Sequence, residues 1–199
     1  MSITKRLWLG LGALLVASFA VMLWLGGDLF RTKPPIPERV VTTSGEVVYT
    51  RDDIQRGQVV WQSMGGMQLG SIWGHGALVA PDWSADWLKR EALAQLDQEA
   101  LAATGKPYAA LDAAEQAKLR AILQPRVRRN TYDPANGDLV VDAARARAIA
   151  QVAAHYESLF SSDPATADLR ETYAMKDDTV AEAGNRRALM ERGDADVSF

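Results

Sequence analysis

The side chains able to hold a metal are few. The chain has 199 residues, two histidines, His75 and His155, and no cysteine. Disulfides and thiolate metal sites are therefore excluded. His75 lies between Gly74 and Gly76, with Met64 and Met67 a few residues upstream. Imidazole and thioether groups are the ligand types this segment offers, and flanking glycines let a ring or backbone come close. Two histidines without a thiolate do not make a multi-histidine metal site. The same segment, residues 56 to 87, also concentrates Trp61, Trp73, Trp83 and Trp87 with several glycines and Pro81. Large aromatics in this number read as core rather than as a stacking platform. A net charge of -3 gives no basic surface for a nucleic acid.

These residues need an anchor and a scaffold. Residues Leu7 to Gly27 carry no charge, and about 20 apolar residues suffice for a membrane-spanning helix. Trp8 and Trp24 stand near its ends, where indoles favour the headgroup level. Lys5 and Arg6 precede it and place residues 1–6 in the cytoplasm, although Arg31 and Lys33 follow on the other side. The run ends in Met22-Leu23-Trp24-Leu25 with no small-x-small cleavage site, so it reads as an anchor rather than a removed signal peptide. Residues 28–45 are predicted as a linker, stiffened by Pro34, Pro35 and Pro37. Residues 46–180 form one domain, and residues 181–199 a polar tail.

Within the domain the patterning is mainly α. Val40 to Thr50 read as a short hairpin turning at Ser44-Gly45. Thr50 caps a helix through Ile54, Gln58 and Trp61, with Asp52 and Asp53 in its first turn. Ser84 is predicted to cap a second helix, Ala85 to about Ala103, with Trp87, Leu88, Glu91, Leu93 and Leu96 as its stripe. Gly105 and Pro107 stop it. Asp112 and Glu115 open a third helix carrying Leu119, Ile122, Leu123 and Val127. Residues 131 to 141 read as a second hairpin around Asp133-Pro134 and Asn136-Gly137. Asp142 caps a last long helix with Ile149, Val152, Tyr156 and Leu159, ended by Ser161 to Pro164. Arg126 to Arg129 and Arg186-Arg187 read as solvated helix faces.

The segment from Arg56 to Trp87 resembles the N-terminal extramembrane region of quinol-dependent nitric oxide reductases, in the haem-copper oxidase superfamily. Arg56-Gly57, Val60-Trp61, Gly74, Gly76-Ala77 and Ala80-Pro81 keep the frame of the c-type cytochrome subunit found in the related cytochrome c-dependent enzymes. Where that frame places C-x-x-C-H, this chain reads Gly66-Met67-Gln68-Leu69-Gly70. The resemblance implies a cytochrome c-like helical domain with small β-hairpins, fused to an anchor and without haem. Thioether attachment needs thiols, which are absent. Non-covalent haem needs an axial ligand; His75 with Met64 or Met67 is the candidate, and a packed or hydrogen-bonded His75 in a tight loop is the preferred reading.

What the resemblance implies for function lies largely outside these residues. In the family a bundle of later membrane helices, with two b-type haems and a non-haem iron, reduces two NO to N2O. Quinol binds near the junction of that bundle with the extramembrane domain. No catalytic, cofactor-binding or metal residue is expected in this chain, and none can be assigned to quinol. The main domain is expected outside the bacterial inner membrane, in the periplasm. The tail after Met175 departs from the family, where a second span rich in Phe and Trp would follow. A truncated gene, a frameshift or a split reductase would each produce that. The chain reads as the N-terminal part of a nitric oxide reductase, inactive alone; the alternative is a membrane-anchored, haem-free binding or scaffold domain.

Overall fold

The computed structural model describes residues 2–180. The chain separates into two compact units, Met1–Pro35 and Ile36–Phe199. The first holds one helix, α1 (Ile3–Thr32), which is long and apolar enough to cross a membrane. It continues past the predicted end at Gly27 because nothing in Gly27 to Thr32 breaks a helix. The predicted linker 28–45 is correspondingly corrected. Residues 28–32 are helical and Arg39–Thr42 form strand β1. Pro34 and Pro35 end the helix, since proline disfavours helical backbone before it.

The second unit is mainly α, with small strands. β1 pairs antiparallel with β2 (Val47–Thr50). Helix α2 (Arg51–Ser63) follows at once. Its capping box is Thr50 with Asp53, which exchange side-chain and backbone hydrogen bonds. Next come a short helix α3 (Gly66–Leu69) and a tight hairpin of β3 (Ser71–Ile72) and β4 (His75–Gly76). Helix α4 (Trp83–Thr104) ends at Gly105, which is left-handed. Helix α5 (Ala113–Val127) opens with the predicted Asp112–Glu115 box. The predicted second hairpin is β5 (Tyr132–Asp133) with β6 (Asp138–Val141). Asp142 then caps α6 (Ala143–Leu159) by accepting the Arg145 N–H at 2.7 Å, and α7 (Ala167–Thr172) follows.

The two hairpins are not separate insertions. They share one four-stranded sheet in the order β2-β1-β6-β5, because β1 runs parallel to β6. Arg39 fastens that seam with two hydrogen bonds to Asp138, at 3.0 and 2.6 Å. The main core joins Val40, Ile54, Leu139, Val141, Val152 and Leu159 to Trp83, Trp87, Tyr156 and Phe160. A smaller core under the α4–α5 turn holds Leu96, Ala100, Tyr108, Leu111 and Leu123.

Three predictions about packing are corrected. On α4 the predicted Trp87, Glu91 and Leu96 are buried, together with Trp83, Ala94, Gln95 and Ala100, while Leu88 and Leu93 are exposed. Glu91 can be buried because Arg145 of α6 donates to it at 2.7 Å. On α5, Leu123 is buried but Ile122 and Val127 are exposed. Arg126 is more than a solvated cation, since it bridges Glu99 of α4 and Asp142 ahead of α6. Arg186 and Arg187 lie outside the described residues.

Candidate functional site

The segment from α2 to the start of α4 is built around close approaches of indole rings to glycine backbone. Trp61, on the last turn of α2, lays its ring directly on Gly66; a Cβ there would fall inside the indole. Trp83, the first residue of α4, does the same at Gly70, where a Cβ would lie 2.5 Å from Nε1 of Trp83 and 2.6 Å from the Pro81 carbonyl oxygen. Gly76 has φ 141, and a Cβ on it would strike the Gly70 carbonyl. Only glycine meets such positions.

Asp82 organises the same region. Its Oδ2 accepts from the Ser71 hydroxyl at 2.7 Å and the Gly74 N–H at 2.6 Å, while Oδ1 accepts from the Ala85 N–H at 3.0 Å. Burial opposes its charge, but the Ser71 hydroxyl and the N–H groups of Gly74, Ala85 and Ser84 outweigh it and hold the carboxyl below its usual pKa. Asp82 is therefore the cap of α4, not Ser84 as predicted. Ser84 is buried in the first turn, where its hydroxyl accepts the Trp73 N–H at 3.3 Å. The signal is present in the sequence: Pro81-Asp82 precedes the helix, and Asp is as strong a cap as Ser.

Behind this loop lies an aromatic cluster shared by α4, α6 and the segment after α7. Tyr156 stacks on Trp87, with centroids 5.4 Å apart and planes within 2°. Trp83 meets Tyr156 and Tyr173 edge-on, at 6.0 and 5.9 Å, and lies 5.7 Å from Phe160. The Tyr156 hydroxyl donates to Asp86 at 2.6 Å, an oxygen that also accepts from Arg90 at 2.6 Å. Burial, and then that bond to Asp86, push the Tyr156 phenol well above its ordinary pKa. Three of the four central tryptophans thus behave as core: Trp83 and Trp87 are buried, and Trp61 packs against the core half-buried. Trp73 does not. It sits exposed at the β3–β4 turn with φ 51.

The predicted ligand candidates do not converge on an enclosed site. His75 is exposed on β4, Met67 is exposed on α3, and Met64 packs against the core. His155 is on α6 with its ring edge-on to Tyr156 at 5.3 Å. Burial, and then the charge of Arg90, lower its pKa, with Asp86 opposing. Among the described residues no group of three or more His, Cys, Asp or Glu side chains could hold a metal ion. A c-type haem does not fit these residues. Thioether attachment needs cysteine thiols, of which the chain has none, and at Gly66 and Gly70, where the resemblance would place part of the attachment motif, the backbone is covered by the indoles of Trp61 and Trp83.

No curated protein matches the chain. Residues 37–191 match the NorB cytochrome c-like domain of nitric oxide reductases. That range begins within the stiff proline segment and takes in every element from β1 to α7. The chain belongs to the NorB family of nitric oxide reductases through its cytochrome c-like domain.

Proposed function

We propose that this chain supplies the anchored, haem-free extramembrane region of a quinol-dependent nitric oxide reductase. It stands beside a catalytic membrane bundle carried on the same or another polypeptide. The reaction of that whole enzyme is 2 NO + 2 e⁻ + 2 H⁺ → N2O + H2O. The observation that carries the reading is the pair of indole-covered glycines, Gly66 and Gly70, at the attachment positions of a cytochrome c frame. A domain without haem is no relay from a cytochrome donor, which favours a donor that reaches the bundle from the membrane, as quinol does. The b-type haems and non-haem iron that carry the redox chemistry in the family belong to the bundle. The residues here contribute a rigid cover and an anchor. In this reading α1 spans the bacterial inner membrane with Lys5 and Arg6 on the cytoplasmic side, and residues 36–180 lie outside.

The test uses the full chain, produced together with a cytochrome c maturation system. Purified by itself it should show no Soret band and no NO consumption with a quinol donor. Purified from its native membrane it should bring down a multi-span polypeptide with b-type haem and quinol-dependent NO reduction. A Soret band in the chain alone, turnover by it alone, or no haem-bearing partner would overturn the reading.

A further inference from the structure

Helices α4 and α6 run antiparallel, with Asp86 opposite Tyr156 and Gln98 opposite Arg147. Between them and the turn Tyr108–Ala110 lies an open cleft of about 390 Å³, a volume that suits a small ligand. Its polar groups stand at two ends. At one end are Arg90 and His155. Burial, and then the Arg90 charge, keep the His155 ring neutral at neutral pH, with Asp86 opposing. The Nε2 atom of His155 is buried and has no hydrogen-bond partner. Such an atom carries a desolvation cost that a ligand relieves. Arg90 donates from Nε to Asp86 at 2.6 Å and meets the Tyr156 hydroxyl. A guanidinium has five N–H groups, so donors remain. At the other end is Asp97, whose Oδ1 accepts the Tyr108 N–H at 2.7 Å and whose Oδ2 is left to accept from a ligand. The wall between the two ends is apolar, formed by Leu93, Ala94 and Val152. Leu93, 44% exposed, is thus the side of the cleft rather than part of the core.

We propose that this cleft binds a small aliphatic ω-amino acid, with its carboxylate on Arg90 and His155 and its ammonium on Asp97. Arg90 and Asp97 lie two turns apart on α4, a separation of roughly 10 Å along the helix axis. A short methylene chain with a hydrogen bond of about 3 Å at each end covers that span. The apolar wall takes the chain. Neutral His155 donates from Nε2 in the tautomer that carries its proton there. A ligand with one charge fits less well. A plain carboxylate leaves Asp97 unmatched, and a plain amine leaves Arg90 and the Nε2 atom of His155 unmatched. The two-ended ligand meets each group with its opposite. The inference is independent of the proposed function, since every group it uses lies on α4, α6 or the turn at Tyr108.

The experiment uses the detergent-solubilised full chain with isotope-labelled histidine rings, and ε-aminohexanoate as the probe. The chain has only two histidines, so exposed His75 is an internal control, and a His75→Gln spectrum assigns the signals. The His155 ring signals should move saturably, half-complete at or below about 1 mM, while those of His75 stay still. Hexanoate and hexylamine should each bind about tenfold more weakly, as loss of a charged hydrogen bond does. Asp97→Asn keeps an acceptor for the Tyr108 N–H. It should weaken ε-aminohexanoate about tenfold without weakening hexanoate, a selectivity that a merely structural role for Asp97 would not give. Leu93→Glu, at an exposed position, should weaken the probe without moving the thermal midpoint. No saturable response of His155 below about 10 mM, equal movement of His75, or hexanoate binding as tightly as the amino acid would each overturn the site. So would unchanged affinity in either substituted chain once its thermal midpoint shows that it is folded.

Discussion

At the scale of residues, the informative positions are those where a side chain is missing. Gly66 and Gly70 stand in the sequence where the resemblance would place an attachment motif. The physical reason for glycine there is not visible in the sequence, because it depends on rings that arrive from Trp61 at one end and Trp83 at the other. Gly66→Ala should cost about 1–3 kcal/mol through overpacking. In a Trp61→Ala background the same change should cost little, giving a coupling of about 0.5–3 kcal/mol in a double-mutant cycle by urea unfolding. Additive costs would show that the ring does not enforce the glycine. The aromatic core can be graded in the same way. Trp83→Ala should destabilise by about 3–5 kcal/mol, Trp61→Ala by less because its ring is half-buried, and Trp73→Ala by about 0.5 kcal/mol or less. Aromatic content alone predicts one class for all these tryptophans. Trp73 differs because the strained turn at φ 51 points it away from the core that Trp83 and Trp87 share.

At the scale of elements, caps and breakers are the most legible features. Thr50, Asp112 and Asp142 act locally, within the next few residues, so spacing reveals them. Asp82 is harder to see because Ser84, also a good cap type, stands nearer the apolar run. Asp82 wins since the same carboxylate ties the hairpin to the helix. Asp82→Ala should therefore lower stability by about 1–2 kcal/mol, the upper part of the range for a lost cap. Its pKa is lowered on folding. The stability it contributes is therefore complete above its unfolded pKa of about 3.9 and is lost as pH falls through the lower folded value. Acid titration of unfolding should show a shallower decline for Asp82→Asn than for the parent over that acid range; identical profiles would reject the assignment. The far end of the domain depends on Arg170, which is 3% exposed. It donates to Asp177 at 2.8 Å, Thr166 at 2.6 Å and the Asp163 carbonyl at 2.8 Å. Arg170→Ala should cost about 1–3 kcal/mol, because it removes charged hydrogen bonds to the Thr166 hydroxyl and the Asp163 carbonyl while its charged partner Asp177 is exposed and can return to water. A thermal midpoint within a degree or two of the parent would contradict this. No helical periodicity announces that role, because a lone arginine on a short helix looks like any solvated cation.

At the scale of the whole molecule, the division into an apolar helix and a folded unit is readable from composition. The boundary is not: the predicted linker overruns into β1, whose Val40 is fully buried. β1 belongs to the core because β6 lies beside it, and a pairing between segments so far apart leaves no local trace. With Val40, Pro37 and the Arg39–Asp138 seam inside it, the second unit should fold without α1. A chain beginning at Lys33 should unfold in urea at the same midpoint as the detergent-solubilised full chain. A markedly lower midpoint would mean that the helix supports the domain.

The parallel seam between β1 and β6 also sets an order of events in time. Arg39 and Asp138 are 99 residues apart, and a ribosome adds about 5–20 residues per second. For several seconds after β1 and β2 emerge, β1 is an unmatched edge waiting for a strand that does not yet exist. Closing so long a loop is what slows folding in chains of high contact order. The edge that will become the centre of the sheet is meanwhile open to the wrong partner. Substitutions that weaken the seam, such as Asp138→Ala, should then raise the aggregated fraction during synthesis more than they do when the finished protein is refolded from urea.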